Sequence, residues 1–163
     1  MTVTFGFITI WVGTLFAAAI SDLRAYRIPN ALPGVLMLLF GVTQIIDSGA
    51  TVPWSNIAHF GIALIVGMFL FSRGWIGGGD AKLYAATAMW FALNGAAILL
   101  FFTTMAGAVL ALAFIVARMT GLRKNVAKED RRIPYGVAIA AGGVITAAFV
   151  GWPVMFANLP KWL

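Results

Sequence analysis

Five carboxylates, Asp22, Asp47, Asp80, Glu129 and Asp130, and a single histidine, His59, are the side chains able to do acid–base work near neutral pH in this 163-residue sequence. Cysteine is absent, which removes disulfides, thiolate zinc sites, iron–sulfur clusters and a thiol nucleophile together. Two of the acids stand in unusual company. Asp80 follows three glycines in WIGGGDAKLYAA, residues 75–86, at the head of what reads as an apolar helix, and Asp22 ends an apolar run in SDLRAYRIPN, residues 21–30. Two carboxylates that share a site cannot both ionise cheaply, so one keeps a proton while the other is a base. Such a pair can take a proton from water, aim that water at a carbonyl carbon, and donate a proton to the developing oxyanion.

The same residues also have purely structural readings, and local sequence leaves both open. An aspartate at a helix start is commonly an N-cap, and glycine-rich turns often only connect helices. Asp22 could pair with Arg24 or Arg27 at an interface. If Gly77, Gly78 and Gly79 precede the helix, they let a peptide backbone approach closely and permit positive φ. Asp80 would then sit where the helix dipole favours a carboxylate and partial burial opposes it. Asp47 is expected in a loop on the opposite side from this pair, and Glu129 and Asp130 among screened loop charges. His59 reads as an interfacial or snorkelling histidine; with no second ligand at helical spacing, neither a metal site nor a cofactor is expected. Lys82 reads as an orientation anchor close enough to favour ionised Asp80.

Positioning these acids falls to an unusually greasy chain. Hydrophobic residues make up 62% of it and charged residues 10%, with a mean hydropathy of +0.98, a composition for a bilayer and not for a soluble core. The expected architecture is all-α: a polytopic membrane protein of six transmembrane helices, forming one membrane-embedded domain over residues 1–163 with no separate soluble domain. The first span is charge-free to Ser21 and lacks the basic start of a signal peptide. The second covers Ala31 to Ile46 and the third Ile57 to Ser72. The charge-free run from Leu83 to Ala117 is too long for one span, and Asn94-Gly95 divides it into a short fourth and a longer fifth. The sixth covers Pro134 to Trp152.

The net charge of +6 sits in the loops between spans, which argues for topology and against nucleic acid. Ten of the eleven basic residues, all but Lys161, fall on one side of this plan. That side is cytoplasmic by the positive-inside rule, leaving both termini outside. Trp54, Trp90, Trp152 and Trp162 are expected near the outer border and Trp75 near the inner one, with Trp11 unaccounted for. Asp22 and Asp80, 58 positions apart, both reach the inner border, at the same depth.

These residues together resemble a known family. Gly77-Gly78-Gly79-Asp80 matches the GxGD motif of membrane aspartic proteases, and GGGDAKL resembles the second-aspartate region of type IV prepilin peptidases. SDLRAYRIPN is similar to their first-aspartate motif, and RIPYGVAIAAGG, residues 132–143, to the segment opening their last span. The resemblance implies a helical peptidase of the bacterial inner membrane that removes prepilin leaders, after a glycine, at the cytoplasmic border. It carries catalytic roles onto Asp22 and Asp80, in either order of acid and base, with Gly77 and Gly79 as supporting motif glycines. The implied substrate has a basic leader and an apolar helix, and the bilayer is the other partner. Longer members carry paired CxxC motifs and methylate the new amino terminus. The cysteine-free sequence instead implies a peptidase without zinc or methyl transfer, most like the short peptidases of tight-adherence (Flp) pili such as TadV and CpaA. The competing readings are a proton-coupled transporter or channel, which predicts acids in mid-span, and a pilus-assembly scaffold, in which the acids only cap and pair.

Overall fold

The computed structural model describes residues 2–46, 53–120 and 133–151, with side chains from Phe5 onward. Among them lie six α-helices and no strand: α1 (Thr2–Ala25), α2 (Ala31–Ile46), α3 (Trp54–Ser72), α4 (Gly78–Ala88), α5 (Ala96–Met119) and α6 (Tyr135–Val150), with a 3₁₀ turn at Leu93–Gly95. Three helical stretches, Phe5–Ala25, Trp54–Ser72 and Leu93–Met119, are long and apolar enough to cross a membrane. The all-helical class and the membrane character are as the composition requires. The count of six crossings does not follow from helix length, because α2 and α6 have 16 residues each and α4 only 11.

The boundaries that differ most from the sequence reading belong to the two helices that carry the acids. Helix α1 continues past Ser21 to Ala25, so Asp22 lies within its last turns instead of following it. Helix α4 begins at Gly78, five residues before the charge-free run, and ends at Ala88, well short of Asn94. The cause of the early start is local: Gly77 is extended (φ −73°, ψ 144°) and forms the N-cap, and Gly78 and Gly79 make the first turn. The positive φ expected in this cluster falls earlier, at Gly74 (φ 72°), where the amides of Gly74 and Trp75 close the end of α3 on the carbonyls of Phe71 and Leu70.

Helices α4 and α6 form the centre. α4 packs against α2, α3 and α6, while α6 packs against α1, α4 and α5. Small residues permit this, since apolar helices in lipid gain by close backbone approach and not by hiding from water. Ala85, Ala86 and Ala147 are fully buried. A Cβ on Gly67 would come 3.0 Å from that of Ala81, and one on Gly142 would come 2.5 Å from the Cα of Thr103. The second contact is with backbone, which cannot rotate away. Gly142→Ala is therefore expected to destabilise the α5–α6 pair by about 1–3 kcal/mol, visible as a lower thermal midpoint of the detergent-solubilised protein. An unchanged midpoint would count against this packing.

The tryptophan belt is corrected in part. Trp54 and Trp75 are exposed, but Trp90 is buried and meets Trp11 edge-on, centroids 6.1 Å apart, and Phe40 at 5.6 Å. Trp11, unplaced by the belt, is the other half of this core cluster. Trp152 and Trp162 lie outside the described residues.

Candidate active site

Asp22 reaches the site through the way α1 ends. Tyr26 adopts a left-handed conformation (φ 48°) and its amide closes on the Asp22 carbonyl at 2.9 Å, while the Ser21 hydroxyl donates to the Arg27 carbonyl at 2.8 Å. The chain turns within a few residues and brings Ile28 against Gly136, the residue that also meets Asp22. Asp22 is only 6% exposed, which would be costly for an unpartnered carboxylate. Its partner comes from the far end of the sequence: the Gly136 amide donates to Asp22 Oδ2 at 2.7 Å. Gly136 lies in the first turn of α6, where amides have no intrahelical acceptor, so Asp22 caps that helix across the fold. Neither Arg24 nor Arg27 forms an ion pair with it among the described residues, and the interfacial ion-pair reading falls.

Asp80 is placed differently from an N-cap. It is the third residue of α4, and its Oδ2 accepts from the amide of the capping Gly77 at 3.2 Å, the return half of a capping box. Its other oxygen, Oδ1, is buried with no hydrogen-bond partner among the described residues. Gly77 and Gly79 have separate steric duties. A Cβ at Gly77 would stand 2.6 Å from Asp80 Oδ2, and one at Gly79 would stand 3.1 Å from the Ile28 Cβ.

Ile28 joins the two halves. A Cβ at Gly136 would come within 3.0 Å of Ile28 Cδ1, within 3.0 Å of the Asp22 Cβ and within 2.9 Å of Asp22 Oδ2. One isoleucine thus packs on the glycine beside each acid. A second tie is the Lys82 ammonium donating to Asn30 Oδ1 at 3.1 Å, which links the IPN turn to α4. Lys82 is therefore a brace between the two aspartate motifs.

The two carboxyl groups are close enough to interact. Asp80 lies before the apolar run that begins at Leu83, outside the three stretches long enough to cross a membrane. Burial first, then the neighbouring Asp22 charge, lifts its carboxyl to about 6, against the opposing hydrogen bond from Gly77. The folded-state value is raised, so Asp80 holds its proton below about pH 6 and gives it up above. One carboxyl able to carry a proton near neutrality beside another is the arrangement that acid–base hydrolysis needs.

Asp80 also opens onto a cleft of about 630 Å³ between α3 and α5, floored by α4 and α6. Its walls are mostly aliphatic or small, with Asp80, Tyr84 and Tyr135 toward one end and His59 and Leu93 toward the other. His59 is not a snorkelling side chain: it is buried, with Nδ1 2.9 Å from the Phe91 carbonyl. Asn56 Nδ2 donates to the Met89 carbonyl and Ser55 Oγ accepts from the Leu93 amide, each at 2.9 Å. Together the three side chains fasten the first half of α3 to the segment that follows α4, residues 89–93. No group of three or more potential metal ligands occurs among the described residues. Asp47, Glu129 and Asp130 lie outside the described residues.

Gly136, Ile28 and Tyr84 had no assigned role in the sequence reading. The IPYG segment flagged the first of them, but only its tertiary partner shows what it does.

The all-helical protein thus sets a buried aspartate, Asp22, and a half-buried one, Asp80, each on a helix N-terminal amide. The type IV leader peptidase family matches residues 9–112, more than half of the chain and including both acids. The chain belongs to that family. No curated protein and no solved structure matches it.

Proposed function

We propose that this protein is a prepilin peptidase that removes the basic leader of Flp-like or type IV-like prepilins, with Asp22 and Asp80 as its catalytic dyad. It lies in the bacterial inner membrane, with the dyad at the cytoplasmic border and the termini outside. One aspartate takes a proton from water, and the oxygen of that water attacks the scissile carbonyl carbon. The other, protonated, donates to the carbonyl oxygen as it gains charge. Collapse of the tetrahedral species breaks the C–N bond and passes a proton to the leaving amine. The observation that supports this reading is the unbonded Oδ1 of Asp80, on a carboxyl that feels the charge of Asp22. A buried carboxyl oxygen without a partner is costly in a purely structural cap and is what a reacting water would bind.

Co-expression with a precursor carrying a basic leader and an apolar helix tests it. The expected result is a faster-migrating product whose new amino terminus follows the cleavage-site glycine. Intact precursor, with both proteins present in the membrane at normal abundance, would sink the proposal.

A further inference from the structure

A peptidase working at a membrane border must first unwind the segment it cuts. Within a helix, short of its last turn, each peptide carbonyl is bonded internally and shielded from an in-line nucleophile. Unwinding exposes carbonyls of the residues beside the scissile bond, and in an apolar cleft each one left without a donor is costly. The cleft beside Asp80 has few donors to offer: Thr103 also lines it and its hydroxyl is unbonded, but that oxygen is packed against Gly142 of α6 and is not on the helix that carries Asp80. The Thr104 hydroxyl is already given to the carbonyls of Leu100 and Phe101. His59 Nδ1 faces the Phe91 carbonyl, which can only accept, so the proton of that nitrogen is committed there. Tyr135 lies at the mouth and is 41% exposed.

Tyr84 is different. It stands four residues after Asp80 on α4, so both side chains project from one face, a helical turn or about 5 Å apart along the axis. Both line the cleft. Its ring is part of the packing around the core, and its hydroxyl has no hydrogen-bond partner among the described residues. A phenol is a donor throughout the neutral range.

Building on the peptidase reading above, we propose that Tyr84 is a substrate-binding residue whose hydroxyl donates to a peptide carbonyl freed beside the scissile bond, holding the unwound segment against the Asp22–Asp80 pair. The donor acts only once the segment has unwound, so it stabilises the productive complex and leaves initial docking of the apolar helix to the aliphatic walls.

The test is steady-state cleavage of a purified prepilin-type precursor by the full chain in detergent, comparing wild type with Tyr84→Phe, which removes the hydroxyl and keeps the ring. The expected result is a fall in kcat of about 10-fold to 100-fold with KM within about twofold of wild type, and an unchanged thermal midpoint. A wild-type kcat for Tyr84→Phe overturns the proposal and leaves the peptidase reading standing. A fall in kcat matched by a lower thermal midpoint also overturns it, because it assigns the hydroxyl to stability. Failure of the wild-type protein itself to cut the precursor overturns the peptidase reading instead.

Discussion

Asp22→Asn and Asp80→Asn are each expected to lower precursor cleavage by about 10⁴-fold while leaving the protein folded and equally abundant in the membrane. The asparagine amide oxygen can still accept from the Gly136 or Gly77 amide, so the caps of α6 and α4 survive. What is lost is the ability to take and return a proton. The two effects should not multiply in the double variant, because either carboxyl without the other cannot complete the cycle. Gel mobility of the co-expressed precursor reads the result, with Asp47→Asn as a control expected to cleave normally. Full processing by either single variant, at matched abundance, would falsify the dyad.

Gly136→Ala is the second change with a large expected effect, and its reason is steric. The new methyl would stand 2.9 Å from Asp22 Oδ2 and 3.0 Å from Ile28 Cδ1, closer than carbon contacts tolerate. The Ile28 Cδ1 can rotate aside, but the methyl also meets the Asp22 Cβ and Oδ2, so the carboxylate must move off the amide that holds it. A displacement of about 1 Å in a positioned catalytic group costs on the order of 100-fold in rate, so cleavage should fall by about that factor. Gly61→Ala is the matched control, since a Cβ there meets nothing within 4 Å. Equal cleavage by the two variants would show that Gly136 does not set the position of Asp22.

Much of the site was legible one-dimensionally because the chain is so poor in polar groups. A hydrophobic content of 62% already dictates helices in lipid, and with five carboxylates in all, two beside glycine, proline and asparagine at apolar borders draw attention without further help. The extents of α2 and, within a few residues, α3 follow from the same apolar runs. The glycine cluster marked the start of α4 to within about two residues, but where α1 and α4 end did not follow: α1 runs past Asp22 to Ala25 and α4 stops at Ala88, short of Asn94. The tryptophans show the same limit. Position along a span suggests an interface for Trp90, but whether an indole faces headgroups or the core depends on the helix beside it, here α1 with Trp11.

The sequence by itself determined the helical, membrane-embedded class and the two acids, because both are written in composition and local motif. The tertiary structure decided what holds those acids. Asp22 is bonded by an amide 114 residues away and His59 by a carbonyl 32 residues away. Burial leaves a polar group no water to fall back on, so its partner must be whichever backbone or side chain the packing brings near. That choice rests on the close approach of α4 and α6 and the placement of Ile28 between Gly79 and Gly136, contacts between segments that local periodicity does not register.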